Sequence, residues 1–271
     1  MWEKVQETVQ FIQNKTDLFN PEIGIVLGSG LGNFIEDIEV IYKIPYKEIP
    51  NFPTSTVVGH EGYLIFGTVG TKKVIAMQGR FHYYEGYSMQ QVTFPIRVMK
   101  FLGIKTLIVS NASGGVNPSF NVGDIMIIKD HINATSEHPL RGINDERFGP
   151  RFLNMHNTYS TQLIDLAKDQ AKKHNISYKE GIYYGLQGPT FETLAEYKMI
   201  YSLGADCVGM STVPEVIVAK HMDIPCFGIS IISDMGNEEG ITNLSHQEVL
   251  NAVKKAEPKA RLLIKSLITS I

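Results

Sequence analysis

The ten residues 79–88, GRFHYYEGYS, bring an arginine, a histidine, a glutamate and three tyrosines directly after an apolar run, KKVIAM. The guanidinium of Arg80 carries a planar fork of N–H donors that matches phosphate oxygens. His82 can donate to the same anion, Glu85 can hold the His82 ring, and Tyr84 offers a flat face to a sugar. A surface Arg–Glu pair beside core tyrosines is the alternative, and this stretch alone leaves both interpretations open.

Two glycine-rich segments follow other apolar runs. The backbone N–H groups of GSGLG, at 28–32, can approach an anion closely, and Ser29 adds a hydroxyl. NASGG, at 111–115, has the composition of a second anion-binding turn. An ordinary tight turn is the alternative for both segments.

A dinucleotide-binding fold is a further alternative for GSGLG. Its fingerprint, G-x-G-x-x-G, needs a third glycine one position later, and an acidic residue at the end of the next strand. The stretch that follows, VIYKIPYKEIPNFP at 40–53, is not a clear second strand. A dinucleotide-dependent oxidoreductase therefore stays as a rival hypothesis.

The segment GPTFETLAE lies where a predicted strand gives way to a helix. Phe191 can stack on a heterocycle, and Glu192 can accept hydrogen bonds from a ring N–H and an exocyclic amine. The alternative is helix capping, in which Thr190 and Thr193 cap the helix and Glu192 or Glu196 favours the positive end of the helix dipole.

A second strand-to-helix junction is GMSTVPEVIVAKH, at 209–221. Pro214 suits the first turn of the helix, so Ser211 and Thr212 lie where backbone donors face outward, which suits an anion. The chain has no G-x-S-x-G motif, and a hydrolase nucleophile of that kind is not expected.

Composition restricts the function classes. The chain has 271 residues, and 43% of them are hydrophobic. Its net charge is −3, so it has no basic electrostatic field that would attract nucleic acid. No apolar run is long enough to cross a membrane. Cys207 and Cys226 lack a histidine at metal-ligand spacing, which favours a reduced, cytoplasmic setting.

Apolar runs alternate with helical patterns, which predicts a single α/β domain over residues 1–271 with a parallel or mixed central sheet. Pro258 is expected to kink or split the last helix. The polar stretch 133–157 has no periodicity and predicts a long functional or subunit-contact loop. The predicted strands lie near Ile23–Leu27, Leu64–Val69, Lys73–Gln78, Thr106–Ser110, Asp124–Lys129, Ile182–Leu186, Cys207–Met210 and Cys226–Ile232, and the predicted helices near 2–14, 88–102, 158–174, 193–203, 213–222 and 245–270.

Taken together, four segments identify a resemblance. PNFPTSTVVGHEG, PLRGINDERFGPRF, GPTFET and GMSTVPEVIVAKH resemble, in order, motifs of the trimeric purine nucleoside phosphorylases, and the resemblance runs from about Ile23 to the last helix. It implies an α/β fold with a mixed, partly barrel-like central sheet flanked by helices. It also implies phosphorolysis of purine (deoxy)nucleosides to the free base and (deoxy)ribose 1-phosphate, without cofactor or metal, by a homotrimer.

The resemblance also implies roles for individual residues. His82, Glu192, Asp234 and His246 are the implied catalytic residues, and Phe152 is expected to reach the sugar site of a neighbouring subunit. Tyr84, Met210 and His246 would line the sugar, and Phe191 and Glu192 would hold the base. The implied phosphate ligands are Ser29, His60, Arg80, His82, the backbone N–H of Ala112, and Ser211.

One departure from the family pattern concerns the base. Members that prefer 6-oxopurines carry Asn where this chain has Asp234, in GISIISD. An ionised carboxylate repels O6 but accepts from a 6-amino group, whereas a protonated one can donate to N7. Burial and the nearby Glu192 are expected to raise the pKa of Asp234. A methylthioadenosine-type phosphorylase with a 6-amino preference is therefore an alternative, although that family lacks the pattern around Tyr84.

Other rivals stay open on sequence alone. A non-catalytic nucleoside- or phosphate-binding module would keep the same pocket. A nucleoside hydrolase would need an aspartate cluster for calcium, and no such cluster is visible in the sequence. His246 follows Ser245, a possible helix N-cap, so it is also compatible with a surface histidine.

Overall fold

The computed structural model describes residues 1–54, 56–57, 61–237, 240 and 245–271. Its strands are β1 (Ile23–Leu27), β2 (Glu39–Pro45), β3 (Tyr63–Val69), β4 (Lys72–Gln78), β5 (Thr106–Gly115), β6 (Ile125–Asn133), β7 (Lys179–Gly185), β8 (Cys207–Gly209) and β9 (Cys226–Met235). Its α-helices are α1 (Trp2–Lys15), α2 (Met89–Val92), α3 (Phe94–Leu102), α4 (Thr161–Lys173), α5 (Leu194–Ser202), α6 (Val213–His221) and α7 (His246–Ser270). Short 3-10 helices cover Gly32–Asp37, Tyr46–Glu48 and Tyr83–Glu85.

The strands form one mixed sheet that closes on itself at one end. Their order is β2-β3-β4-β1-β5-β8-β7-β6-β9, and β9 also pairs with β5. The strands β5, β8, β7, β6 and β9 therefore make a closed ring, from which β1, β4, β3 and β2 extend as an open sheet. The predicted mixed, partly barrel-like α/β fold is confirmed.

The strands at the centre are buried on both faces because helices cover the sheet on both sides. All five residues of β1, IGIVL, are buried, as expected for a parallel strand between β4 and β5. Helix α7 packs against β9 and α4. Its buried residues recur at helical spacing, from Val249 and Val253 to Leu267.

Helix α7 is not split at Pro258, in contrast to that part of the prediction. Pro258 lies on the exposed face of a helix that continues from His246 to Ser270. On that face, water can bind the carbonyl group that loses its helical hydrogen bond, so the interruption of the hydrogen-bond pattern is tolerated. The predicted helix 88–102, by contrast, divides into α2 and α3 at Thr93.

Two predictions about the sheet are wrong. The 40–53 stretch does contain a strand, β2, which pairs antiparallel with β3. Its exposed Val40 and Ile41 gave no alternating pattern, because β2 lies at the edge of the sheet. NASGG is not a turn: its residues 111–115 continue β5, which pairs with β9 as far as Gly115. The closure of the ring requires this long strand.

Several strands end on one side of the sheet, and the segments singled out above begin there. GSGLG follows β1 and GRFHYYEG follows β4, which run parallel. Strand β8 runs antiparallel to β5 and pairs with its last two residues, so GMST begins beside the carboxyl-terminal half of β5. The carboxyl-terminal halves of β5 and β9 run parallel beside them. Ligands of α/β folds bind at the carboxyl ends of strands, so this side of the sheet is where a site is expected.

Two of the three glycines of GSGLG are closely packed, and Gly28 is the one that lies against Arg80. A Cβ atom there would collide with the carbonyl oxygen of Ser110 and would lie 2.6 Å from Arg80 Nη1. A Cβ atom on Gly32 would meet no heavy atom within 4 Å. Gly30 has φ +75°, and a Cβ atom there would collide with Val253, so Gly28 and Gly30 are both required by their surroundings and Gly32 is not.

We expect Gly28→Ala to lower the free energy of unfolding by about 1–3 kcal/mol, because the added methyl forces buried backbone apart. Gly32→Ala is the matched control and should change it by less than about 0.5 kcal/mol. Urea unfolding of both variants measures the difference. Equal stability of the two variants would contradict the packing described here.

Candidate active site

A cavity of about 330 Å³ opens at the carboxyl ends of the strands. It brings together most of the predicted site residues, although they come from seven separate segments of the chain. Those that line it are Ser29, Arg80, His82, Tyr84, Ala112, Phe191, Glu192, Met210, Ser211, Asp234 and His246.

Arg80 lies at the inner wall of the cavity and is held by a buried carboxylate. Its Nε and Nη2 donate to Glu215 Oε1 at 3.1 Å and Oε2 at 2.8 Å, and its Nη1 donates to the Ser110 carbonyl at 2.6 Å. Arg80 and Glu215 are 1% and 3% exposed. The guanidinium fork that the sequence assigned to phosphate is therefore engaged by Glu215.

The sequence analysis did not single out Glu215, although it lies inside the quoted GMSTVPEVIVAKH. The signal was a single acidic residue in the first turn of an otherwise apolar helix, α6. Of the two alternatives for Arg80, an ion pair is present, but it is buried and its partner is not Glu85.

His82 is oriented by Glu85, as the sequence predicted. The His82 ring stacks on Tyr84 with centroids 4.7 Å apart, and its Nδ1 lies 3.0 Å from Glu85 Oε1. Burial lowers the pKa of His82, while the hydrogen bond with Glu85 opposes that shift. For Glu85 burial raises the pKa, but hydrogen bonds from His82 and Thr56 prevail and lower it to about 2. Glu85 is therefore an ionised anchor for the ring.

Ser211 borders the cavity beside a strained turn. Thr212 has φ +68° and ψ −55°, and the Val213 N–H donates to the Ser211 carbonyl at 2.7 Å, which is a γ-turn of the rare hand. Such a conformation costs about 1–3 kcal/mol in a non-glycine residue. Asn111 Nδ2 donates to Thr212 Oγ1 at 2.8 Å, and Asn111 Oδ1 accepts from Ser230 at 2.6 Å. This buried network holds the turn at the start of α6.

Two carboxyl groups and a phenol occupy another part of the same cavity. Asp234 Oδ1 accepts from Ser233 Oγ at 2.7 Å, and Asp234 Oδ2 accepts from the Tyr197 hydroxyl at 3.3 Å. Glu192 Oε1 is buried and has no hydrogen-bond partner among the described residues. Burial raises the pKa of both Glu192 and Asp234, as the sequence analysis expected for Asp234.

Tyr197 is a second site residue that the sequence analysis did not identify. It lines the cavity from α5 and is 2% exposed. On the sequence it is one buried aromatic residue at helical spacing from Ile200, which is the pattern of any core tyrosine. No sequence signal distinguishes it.

The capping alternative for GPTFETLAE is correct for one of its two glutamates. Thr193, and not Thr190, is the N-cap of α5, and it forms a capping box with Glu196. Glu192 takes no part in the capping box, and its side chain lines the cavity together with Phe191. Neighbouring residues therefore have different roles: Thr193 and Glu196 cap the helix, and Phe191 and Glu192 line the cavity.

His246 is the first residue of α7, and Ser245 caps that helix by accepting from the Glu248 N–H at 3.3 Å. His246 is exposed, as the surface alternative predicted, and it also lines the cavity. Tyr84 and Met210 form a neighbouring part of the wall, and both lie against Gly188.

One predicted site residue that the structure describes, Phe152, does not line this cavity. Phe152 is 90% exposed and lines a different cleft, beside Arg151 and Leu153. His60 lies outside the described residues. Within the described part of the chain, no three His, Cys, Asp or Glu side chains are grouped so that they can hold a metal ion. No described helix is long and apolar enough to cross a membrane.

Comparisons with known proteins identify the family. The sequence profile of the phosphorylase superfamily matches residues 22–269. Purine nucleoside phosphorylase 1 of Geobacillus stearothermophilus is 49% identical over 269 residues, covering 98% of this chain and 97% of its own length.

Crystal structures of related enzymes have the same fold. Isoform 2 of the Schistosoma mansoni purine nucleoside phosphorylase, in complex with cytosine and ribose-1-phosphate, has a TM-score of 0.95 and 41% identity, covering 100% of this chain and 97% of its own. The S. mansoni enzyme in complex with adenosine has a TM-score of 0.93 and 41% identity, with coverages of 99% and 97%. The chain therefore belongs to the phosphorylase superfamily and, within it, to the family of purine nucleoside phosphorylases.

Proposed function

We propose that this chain catalyses the phosphorolysis of purine nucleosides, including deoxynucleosides, in purine salvage. An oxygen of inorganic phosphate forms a bond to C1′ of the sugar while the bond from C1′ to the purine nitrogen breaks. The purine leaves with the electron pair of that bond, and the sugar leaves as (deoxy)ribose 1-phosphate. The reaction needs neither a metal nor a further cofactor.

The observation that carries this proposal is the meeting of two chemically different groups of side chains in one cavity. Arg80, His82 and Ser211 supply donors suited to a phosphate. Glu192 and Asp234 supply carboxyl groups suited to the hydrogen-bonding edge of a purine. All five line the same space. A nucleoside with phosphate beneath its anomeric carbon requires both groups at once.

In this proposal phosphate is held by Ser29, Arg80, His82, Ser211 and the backbone N–H of Ala112, and His60 joins them. Arg80 is neutralised by Glu215, so it fixes the position of the anion while other donors add attraction. The positive end of α6 points out just beyond Ser211, and a helix N-terminus favours anions.

The sugar is proposed to lie against Tyr84 and Met210, with His246 toward its 5′ hydroxyl. Positive charge develops on the sugar in the transition state, and negative charge develops on the departing purine. The phosphate dianion faces the positive charge on the sugar, and hydrogen-bond donors beside the base face the negative charge on the departing purine. Stabilisation of charges that arise only in the transition state is what lowers the barrier.

The base is proposed to stack on Phe191 and to bind Glu192 and Asp234 by its edge. Asp234 extends the expected range of bases to 6-amino purines, and the related S. mansoni enzyme has been crystallised with adenosine. A methylthioadenosine-type phosphorylase is the second candidate, and the Asp234 carboxyl is the observation that favours it.

We further propose a homotrimer in the cytoplasm, in which Phe152 completes the sugar site of a neighbouring subunit. The support is its position: a large aromatic side chain, 90% exposed and outside the cavity of its own chain. An aromatic ring this exposed is more stable where a partner covers it.

The first test is a panel of inosine, guanosine, adenosine and methylthioadenosine with and without phosphate. We expect release of base and sugar 1-phosphate only when phosphate is present, without NAD(H). Release of base in the absence of phosphate would indicate a hydrolase, and binding without turnover would indicate a binding module. Reaction of methylthioadenosine alone would favour the second candidate.

Asp234→Asn tests the account of the base. An amide donates to O6 and N7, so kcat/KM for inosine should be retained or rise, while kcat/KM for adenosine should fall about tenfold with the loss of a charged acceptor. The ratio of the two constants, measured at fixed phosphate, is the readout. An unchanged ratio would show that Asp234 does not discriminate between the two bases.

Phe152→Ala tests the subunit contact. It should raise KM for the nucleoside about 10- to 100-fold, since a buried aromatic contact is worth about 1.5–3 kcal/mol, and leave KM for phosphate unchanged. Val122→Ala, which truncates another exposed apolar residue, is the control. The mass in solution should be that of three chains, and a monomer with unaltered KM would contradict the contact.

A further inference from the structure

The base side of the cavity holds two carboxyl groups that share one phenol. The Tyr197 hydroxyl donates to Asp234 Oδ2 at 3.3 Å and also interacts with the Glu192 side chain. Tyr197 and Asp234 are 2% and 7% exposed, and Glu192 Oε1 is buried without a hydrogen-bond partner among the described residues. A phenol has one proton, so it can donate to only one of the two carboxyl groups at a time.

Purines with a 6-oxo group and purines with a 6-amino group require opposite protonation states of these two carboxyl groups. A 6-oxopurine presents a donor at N1–H and acceptors at O6 and N7. A 6-aminopurine presents an acceptor at N1 and a donor at the 6-amino group. If Glu192 faces N1 and Asp234 faces the 6-substituent, the oxo base requires ionised Glu192 and protonated Asp234. The amino base requires the reverse. Both arrangements contain one carboxyl proton.

We propose that Glu192, Tyr197 and Asp234 form a one-proton switch that lets this single pocket bind both 6-oxo and 6-amino purines. With an oxo base the proton resides on Asp234, and the Tyr197 hydroxyl donates to Glu192. With an amino base the proton resides on Glu192, and the hydroxyl donates to Asp234. No proton is gained from or lost to solvent when the base changes. The inference rests on the proposed function and assigns Tyr197 as its positioning residue.

The surroundings favour one proton over none or two. Burial raises the pKa of both carboxyl groups, and each ionised form is stabilised by its hydrogen bond from Tyr197. Two adjacent carboxylates in a buried site resist ionising together. Glu196 is the other carboxylate that acts on Glu192, from the first turn of α5. Among the described residues, the other titratable groups on the cavity wall are Arg80, His82, Tyr84 and His246.

The switch predicts how the ratio of kcat/KM for the two kinds of base depends on pH. The value of kcat/KM follows the protonation of the free enzyme. The two productive forms are tautomers with equal proton number, so their ratio does not change with pH. The ratio of kcat/KM for adenosine to kcat/KM for inosine should therefore stay constant from about pH 5 to 8. Titration of phosphate and of His82 affects both substrates alike and cancels.

Asp234→Asn is the matched variant, because it leaves a single titrating carboxyl. Inosine then requires ionised Glu192 and adenosine requires protonated Glu192. The same ratio should fall about tenfold for each unit of rising pH, since the two forms differ by one proton. A ratio that is flat in the wild type and steep in the variant supports the switch.

Tyr197→Phe tests the phenol itself. The phenol stabilises one carboxylate in the one-proton form and none in the two-proton form, so its loss should move the acidic limb of the pH profile of kcat/KM to higher pH for either substrate. The alkaline limb should stay in place, because the one-proton and zero-proton forms each accept a single hydrogen bond from the phenol. A purely structural role would lower activity without moving the limbs. Tyr201→Phe, on the exposed face of α5, is the control and should leave the profile in place.

The outcomes separate this inference from the proposed function. Failure of every purine nucleoside to react with phosphate overturns both. Phosphorolysis of inosine with none of adenosine, or a wild-type ratio that changes tenfold per pH unit, overturns the switch alone. An unmoved acidic limb in Tyr197→Phe overturns the role of the phenol.

Discussion

The buried ion pair between Arg80 and Glu215 is the interaction on which the site depends. It joins the end of β4 to the first turn of α6, and the Ser110 carbonyl ties the same guanidinium to β5. Removal of one partner would leave a buried charge uncompensated, which costs about 3–5 kcal/mol. Because the pair is neutral overall, it provides a rigid wall rather than an excess of positive charge, and Gly28 is small because this wall leaves no space beside it.

The two parts of the cavity therefore differ in their electrostatics. Around Arg80 the carboxyl groups are held by hydrogen bonds, Glu215 with Arg80 and Glu85 with His82. Around Tyr197 the charges are adjustable, since burial keeps the pKa values of Glu192 and Asp234 raised. Fixed groups suit an anion that is the same for every substrate. Adjustable groups suit a base whose donors and acceptors vary.

Sequence alone predicted most of the strands and both helix caps, because Thr193 and Ser245 act on residues three positions away. It also predicted most of the side chains of the site, from their positions after strands and from the family resemblance. It did not find Glu215 or Tyr197. Their partners lie 135 and 37 positions away in the chain, and such pairings are decided by how the closed ring of strands folds back on itself. Edge strand β2 was missed because its exposed side chains do not alternate.

That edge strand has a consequence for solubility. Among the described residues, no strand pairs with the outer side of β2, and Val40 and Ile41 are exposed on it. An apolar edge of this kind can template the addition of strands from other molecules. The bulge between Val40 and Tyr42 interrupts the regular register that such addition needs, and Lys43 places a charge on the same strand. The irregular register of β2, a strand that was difficult to predict from the sequence, thus protects the folded chain from intermolecular aggregation.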